Sequence, residues 1–133
     1  MNKILIVLGI LFIVGCQPKV DTCMEFFRDN GLHKEQIIEN GVLVLGSDFD
    51  KGEDGRLTAT VVKNKILINN AHCTGYLVNN NTKEVSIKNL EVFDNGVYYI
   101  DEKFTKSGIY NYSVICNIDG QYFGTGYDYV CVR

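Results

Sequence analysis

The sequence predicts a mainly β domain, an antiparallel sandwich or small barrel preceded by one or two short helices and held by two disulfides. Three observations predict it. From Val42 onward, short apolar segments rich in Val, Ile, Thr, Tyr and Phe are separated by turn residues roughly every 8–12 positions. One of these segments, Ile109 to Ile118, alternates with period two: Tyr110, Tyr112, Val114, Cys116 and Ile118 fall on one face, Asn111, Ser113 and Asn117 on the other, with Ile115 the exception. Four cysteines, Cys23, Cys73, Cys116 and Cys131, form an even set in a chain that begins like an exported one.

The elements follow in order. Met1-Asn2-Lys3 is a short basic start, and Ile4 to Val14 is an apolar run of 11 residues. A span of the hydrocarbon core needs about 20, so this run fits a secretory signal rather than a membrane helix. Residues 1–15 are therefore expected to be a signal peptide and residues 16–21 a short tether. Residues 22–133 are then one globular domain, helical over 22–40 and β over 42–133. Asp21 or Thr22 can cap a helix from Cys23 to Asp29, stopped by Gly31, with Cys23, Phe26 and Phe27 on one face. A second short helix is expected over Lys34 to Glu39, ended by Asn40-Gly41. The expected strands are Val42–Leu45, Leu57–Val62, Ile66–Ile68, Ala71–Val78, Glu84–Phe93, Val97–Phe104, Ile109–Ile118 and Tyr127–Val132. Lys63-Asn64-Lys65, Asn79 to Thr82, Asp94-Asn95-Gly96, Lys106-Ser107-Gly108 and Asp119-Gly120 supply the turns.

Ile13-Val14-Gly15-Cys16 resembles the bacterial lipobox: two aliphatic or β-branched residues, a small residue, then Cys. The resemblance implies cleavage before Cys16, diacylglycerol on its thiol and fatty acylation, as by palmitate. Two or more acyl chains anchor stably, whereas one binds only marginally. The expected location is the bacterial cell envelope, lipid-anchored. Gln17, where Asp would favour inner-membrane retention, favours the outer membrane if the host is Gram-negative. The tether Gln17 to Asp21 holds the domain within about 20 Å of the membrane.

The chain has 13 Lys and Arg against 16 Asp and Glu; losing Lys3 leaves 12 against 16, a net charge of −4. That balance argues against a nucleic-acid partner and against a polybasic membrane surface. There is no Trp, and Pro18 is the one proline, while Tyr (8) and Phe (7) are plentiful, which suits strands. The four cysteines allow three pairings. No Cys-x-x-Cys spacing points to zinc.

Ser107 to Tyr112 resembles the entry to the penultimate strand of immunoglobulin-like domains, although Tyr112 precedes Cys116 by four positions rather than two and no core Trp exists. Leu77 to Val85 is similar to a strand–turn–strand of bacterial immunoglobulin-like domains. These resemblances imply architecture and no function.

Candidate sites are few. Asp48, Asp50 and Asp54, in the loop Asp48 to Gly55, are candidate calcium ligands, calcium being the one cofactor considered. With Asp50 as first ligand, however, Gly52 takes the third position and Val61 the twelfth, where a bidentate Glu belongs. The simpler reading is a solvated turn. His72 beside Cys73 suggests a dyad only if the thiol is free. No Gly-x-Ser-x-Gly, HExxH or phosphate loop occurs, and the chain is not expected to be an enzyme. Tyr122, Phe123 and Tyr127, in a Gly-flanked aromatic stretch read as a loop, are candidate partner-binding residues; the alternative is that such rings fill a Trp-less core. Ser107-Gly108-Ile109-Tyr110 is similar to the Ser-Gly-x-x-Tyr loop of small lipidated lysozyme inhibitors, with Tyr one residue early. The functional expectation is a non-enzymatic binding lipoprotein that contacts the membrane through its anchor and another envelope protein through its domain. Receptor masking or superinfection exclusion is the type of role considered. An inhibitor of a cell-wall hydrolase and a purely structural envelope lipoprotein are the alternatives.

Overall fold

The alternation seen in the sequence becomes the pleat of two facing sheets. The structure is a computed structural model that describes residues 22–30 and 39–133. The lipobox, the tether and all but the last residue of the expected Lys34 to Glu39 helix lie outside the described residues.

Among the described residues, one helix, α1 (Thr22–Asn30), leads ten strands: β1 (Gly41–Leu45), β2 (Asp48–Phe49), β3 (Asp54–Lys63), β4 (Ile66–Leu67), β5 (Ala71–Asn79), β6 (Val85–Asn89), β7 (Glu91–Asp94), β8 (Val97–Lys103), β9 (Gly108–Ile118) and β10 (Gln121–Val132). Helix α1 carries Glu25 in its first turn and Arg28 in its last, each matched to the dipole there. The first sheet runs β1-β3-β8-β7, with β4 beside β3; the second runs β2-β10-β9-β5-β6. Both are open, so the architecture is a sandwich and not a barrel. All pairings are antiparallel except β2 with β10.

The core lies between the sheets. Tyr98 and Tyr112, each 0 % exposed, take the volume that a Trp would otherwise fill. The Tyr98 hydroxyl donates to the Ile68 carbonyl (2.7 Å) and accepts the Ala71 N–H (3.0 Å), so burying it leaves no polar group unmet. Tyr112 reaches only the Thr58 carbonyl at 3.5 Å, and burial pushes its phenol well above the usual range. Phe49 stacks on Phe104 at 4.8 Å.

Two expected segments are organised differently. Glu84 to Phe93 is not one strand. It divides at Leu90, which is buried and whose N–H donates to the Cys73 carbonyl (2.9 Å). The chain changes sheets at that anchor, β6 joining one and β7 the other. The stretch before Tyr127 is not a loop either. Asp119 (φ 51°) and Gly120 (φ 77°) form a two-residue hairpin turn, and β10 starts directly after it at Gln121.

Both disulfides close. Cys73 bonds Cys116, its register partner on the adjacent strand of the same sheet. Immunoglobulin domains bridge their two sheets instead. Cys23 bonds Cys131 and fastens α1 to the outside of the second sheet, where Phe26, Phe27, Ile109 and Tyr129 pack around the bridge. Phe26 meets the Tyr129 ring edge-on at 5.3 Å.

Candidate binding surface

The aromatic stretch at residues 121–127 divides by strand parity. Tyr122 pairs with Asn117 and Tyr127 with Ser113, so both rings stand on the outer face of the second sheet, 67 % and 72 % exposed. A bulge between Tyr122 and Gly124 turns Phe123 the other way, against the core. The structure thus brings Tyr122 and Tyr127 to one face and leaves Phe123 as packing.

The glycines flanking these rings serve close approach rather than loop freedom. A Cβ on Gly126 would lie 2.5 Å from the Val42 carbonyl oxygen and 2.9 Å from Val44 Cγ2. Strand β1 of the first sheet therefore crosses directly over β10, and only a glycine fits beneath it.

The rest of that outer face follows from the register. Strand β9 contributes Ile109, Asn111, Ser113, Ile115 and Asn117, and β5 contributes His72, Thr74, Tyr76 and Val78. Strand β6 adds Val85, Ile87 and Asn89 opposite β5. Among the described residues, the outward positions of β5, β6, β9 and β10 hold no Asp, Glu, Lys or Arg, in a chain that is 22 % charged. Tyr127, Ser113, Tyr76 and Ile87 form one row straight across it. Ile87 and Val85 are 61 % and 56 % exposed. Sequence reasoning missed Tyr76, Val85 and Ile87; the signal was the uninterrupted run of neutral residues at alternate positions of four segments.

The outer face of the first sheet has the opposite character. Arg56 binds Asp101 through Nε (2.8 Å) and Nη2 (3.0 Å), and its guanidinium lies 4.2 Å from the Tyr99 ring centroid. That paired contact holds the Asp101 carboxyl below the usual range and raises Arg56. Tyr99 donates to Glu91 (2.8 Å), which raises its phenol, and Phe93 meets the Tyr99 ring edge-on at 6.1 Å. Phe93 is 66 % exposed.

The remaining sequence candidates go elsewhere. Asp48 pairs with Arg133, and Asp50 lies 3.5 Å from the same guanidinium. Asp54 opens β3 opposite Lys103. The Asp50 N–H is taken by Glu53 (2.8 Å), the hydrogen bonding of a turn. The three aspartates do not converge, and among the described residues no group of three or more His, Cys, Asp or Glu is placed to hold a metal. The Cys73 sulfur is in its disulfide while His72 is exposed on the opposite face. Tyr110 turns inward against Phe104 and donates to the Lys106 carbonyl (2.7 Å), and Ser107 donates to the Arg133 carbonyl (2.9 Å). That segment opens strand β9 and presents no tyrosine to a cleft. A groove of about 110 Å³ between the sheet edges, lined by Leu77, Val85, Phe104 and Tyr110 among others, is smaller than the roughly 300 Å³ at which small-molecule sites begin.

No family model and no curated protein matches the chain. Solved structures do. The Lin-41 filamin domain aligns with a TM-score of 0.51 at 9 % identity, over 72 % of this chain and 95 % of that one. A superoxide reductase (neelaredoxin) from Ignicoccus hospitalis aligns at 0.49 and 8 % identity, over 71 % and 81 % of the two chains. The endo-β-1,4-mannanase from Thermotoga petrophila aligns at 0.48 and 16 % identity, over 74 % of this chain and 21 % of the enzyme. At such identities the likeness concerns fold alone, and with the filamin domain it is that of an immunoglobulin-like β-sandwich.

Proposed function

We infer that this chain is a small membrane-anchored envelope lipoprotein with a non-enzymatic binding role near the membrane surface, where it contacts another envelope protein. The observation that carries the reading is the pairing of the cysteines. Of five, Cys23 with Cys131 and Cys73 with Cys116 are bonded, which leaves Cys16 of the lipobox-like motif as the one remaining thiol. Two closed disulfides suit an exported chain in an oxidising compartment. The binding role draws support from exposed aromatic side chains on both outer faces, Tyr122 and Tyr127 on one and Phe93 on the other. Tyrosine supplies large amphipathic contact area at low entropic cost. Masking a receptor, as in superinfection exclusion, is the type of role this reading covers.

Crosslinking in intact cells followed by affinity recovery tests it. The expected result is one stoichiometric envelope protein that is lost when an exposed aromatic of one face is changed, by Tyr127→Ala or Phe93→Ala. Recovery of no protein, or of one indifferent to both faces, would favour a purely structural envelope role. The hydrolase-inhibitor alternative has no supporting geometry, since Tyr110 is tied inward.

A further inference from the structure

We propose that strand β6 is a docking edge for a second copy of this chain, the two β6 strands pairing antiparallel about a two-fold axis at Ile87. The proposal does not depend on the lipid anchor and adds self-association to the binding reading. It starts from how differently the sheet edges are closed. On one side of the sandwich β1 crosses over β10, with Val42 and Val44 against Gly126, and β2 covers the end of β10. On the other side β7 closes the first sheet. It carries Glu91 and Asp94 and a bulge between Val92 and Asp94. Charges and bulges of this type keep an edge strand from pairing further. Strand β6, which closes the second sheet on that same side, has no bulge and no outward charge. Its register with β5 is unbroken from Val85 to Asn89, it contains no proline, and its outward side chains are Val85, Ile87 and Asn89. A flat, β-branched, neutral edge is a template for another strand.

The backbone groups free to pair follow from the ladder. The Leu90 N–H donates to the Cys73 carbonyl (2.9 Å), and the Asn79 N–H donates to the Glu84 carbonyl (3.0 Å). Hydrogen-bonded positions alternate in an antiparallel pair, so Glu84, Ser86, Lys88 and Leu90 turn their backbone groups toward β5. Val85, Ile87 and Asn89 turn theirs to the open side, where among the described residues no strand pairs with β6.

A second copy fits this edge because the strand is self-complementary. Setting Ile87 opposite Ile87 of the second copy places Val85 opposite Asn89, and Asn89 opposite Val85. Each of these pairs can then exchange both of its backbone hydrogen bonds. The two Ile87 side chains meet on the outer face, where the row Tyr127, Ser113, Tyr76 and Ile87 continues through the axis. On the inner face Lys88 falls opposite Ser86 and not opposite a second lysine. Its ammonium is already held by Glu102 (2.5 Å) and by the Asp101 carbonyl (3.0 Å), so pairing buries no unmatched charge of this strand. The five-stranded sheet is thereby doubled. Strands this short make a contact below about 1,200 Å², which places the dimer among weak, reversible associations. Tyr122 and Tyr127 lie away from the axis on β10 and stay exposed in both copies.

Cysteine crosslinking of the purified full chain in detergent, at high protein concentration under mild oxidation, tests the register. Ile87→Cys, Val85→Cys and Phe93→Cys are compared, all at exposed positions, with the unsubstituted chain as the background from Cys16. In the proposed dimer the Cα atoms of the two residues 87 lie about 5.5 Å apart, within disulfide reach. The two residues 85 lie about 14 Å apart, beyond it. The expected result is a disulfide-linked dimer several-fold more abundant for Ile87→Cys than for the other two. Adding Val85→Pro to Ile87→Cys removes one outward N–H while sparing the ladder to β5, as edge strands allow, and should abolish that excess. Equal crosslinking at all three positions reports collision alone and overturns the proposal. So does an Ile87→Cys dimer at background level, or one indifferent to Val85→Pro. If Ile87→Cys in intact cells captures a different envelope protein and no second copy, the edge belongs to that protein and the dimer is overturned.

Discussion

Two glycines of β10, two residues apart, should respond oppositely to the same substitution. Neither has positive φ, so the backbone accepts alanine at both. At Gly126 the new methyl would sit 2.5 Å from the Val42 oxygen and 2.9 Å from Val44 Cγ2. The first obstacle is backbone, and relief requires β1 to shift away from β10. Overpacking of this type costs about 1–3 kcal/mol. At Gly124 the nearest atoms are 3.5 Å (Val42 Cγ2) and 3.7 Å (Gly41 Cα), ordinary contact. There the reduced freedom of the unfolded chain should dominate, giving about 0.4–1 kcal/mol of stabilisation. Urea unfolding of the disulfide-intact domain, with the slope m checked for constancy, measures both. A Gly126→Ala variant as stable as the parent, or a Gly124→Ala variant that loses as much, would refute the close crossing of the two sheets.

Other outcomes follow from the same structure. Tyr98→Phe leaves the buried Ala71 N–H without its acceptor, and should cost about 1–3 kcal/mol in the same assay. The raised Tyr112 and Tyr98 phenols keep their protons in the folded state when the unfolded chain loses its own. Their contribution is full below pH 10, the reference tyrosine value, and is lost as pH rises above it; Tyr112→Phe should flatten that alkaline loss in a pH series of unfolding curves. Non-reducing peptide mapping should recover Cys23 with Cys131 and Cys73 with Cys116. For a sequence separation of 108, chain entropy gives the Cys23–Cys131 bridge at most about 4.8 kcal/mol. The double variant Cys23→Ser with Cys131→Ser should lose less than that, because α1 can release while the sandwich stays paired, and amide exchange should quicken first in α1.

The strand pattern was legible because it depends on parity alone. Tyr110, Tyr112, Val114, Cys116 and Ile118 stand inward as their spacing requires, and Asn95-Gly96 turns with both φ positive. Helix α1 was legible from Cys23, Phe26 and Phe27 on one face. What escaped depended on the third dimension. The disulfide pairing follows from Cys73 and Cys116 meeting as register partners, which no spacing encodes. Gly124 and Gly126 suggest a loop in one dimension, whereas their reason is a strand of the other sheet passing overhead. The same error made Phe123 a companion of Tyr122, until the bulge turned it inward. Ile115, an exception to the alternation, belongs with the outward neutral positions of four strands that the sequence keeps far apart.

The mass of the mature protein extracted from membranes tests the central claim most directly. The account predicts a chain that begins at Cys16, carries diacylglycerol on that residue and contains two disulfides. A chain that keeps residues 1–15, or begins elsewhere without lipid on Cys16, would contradict it.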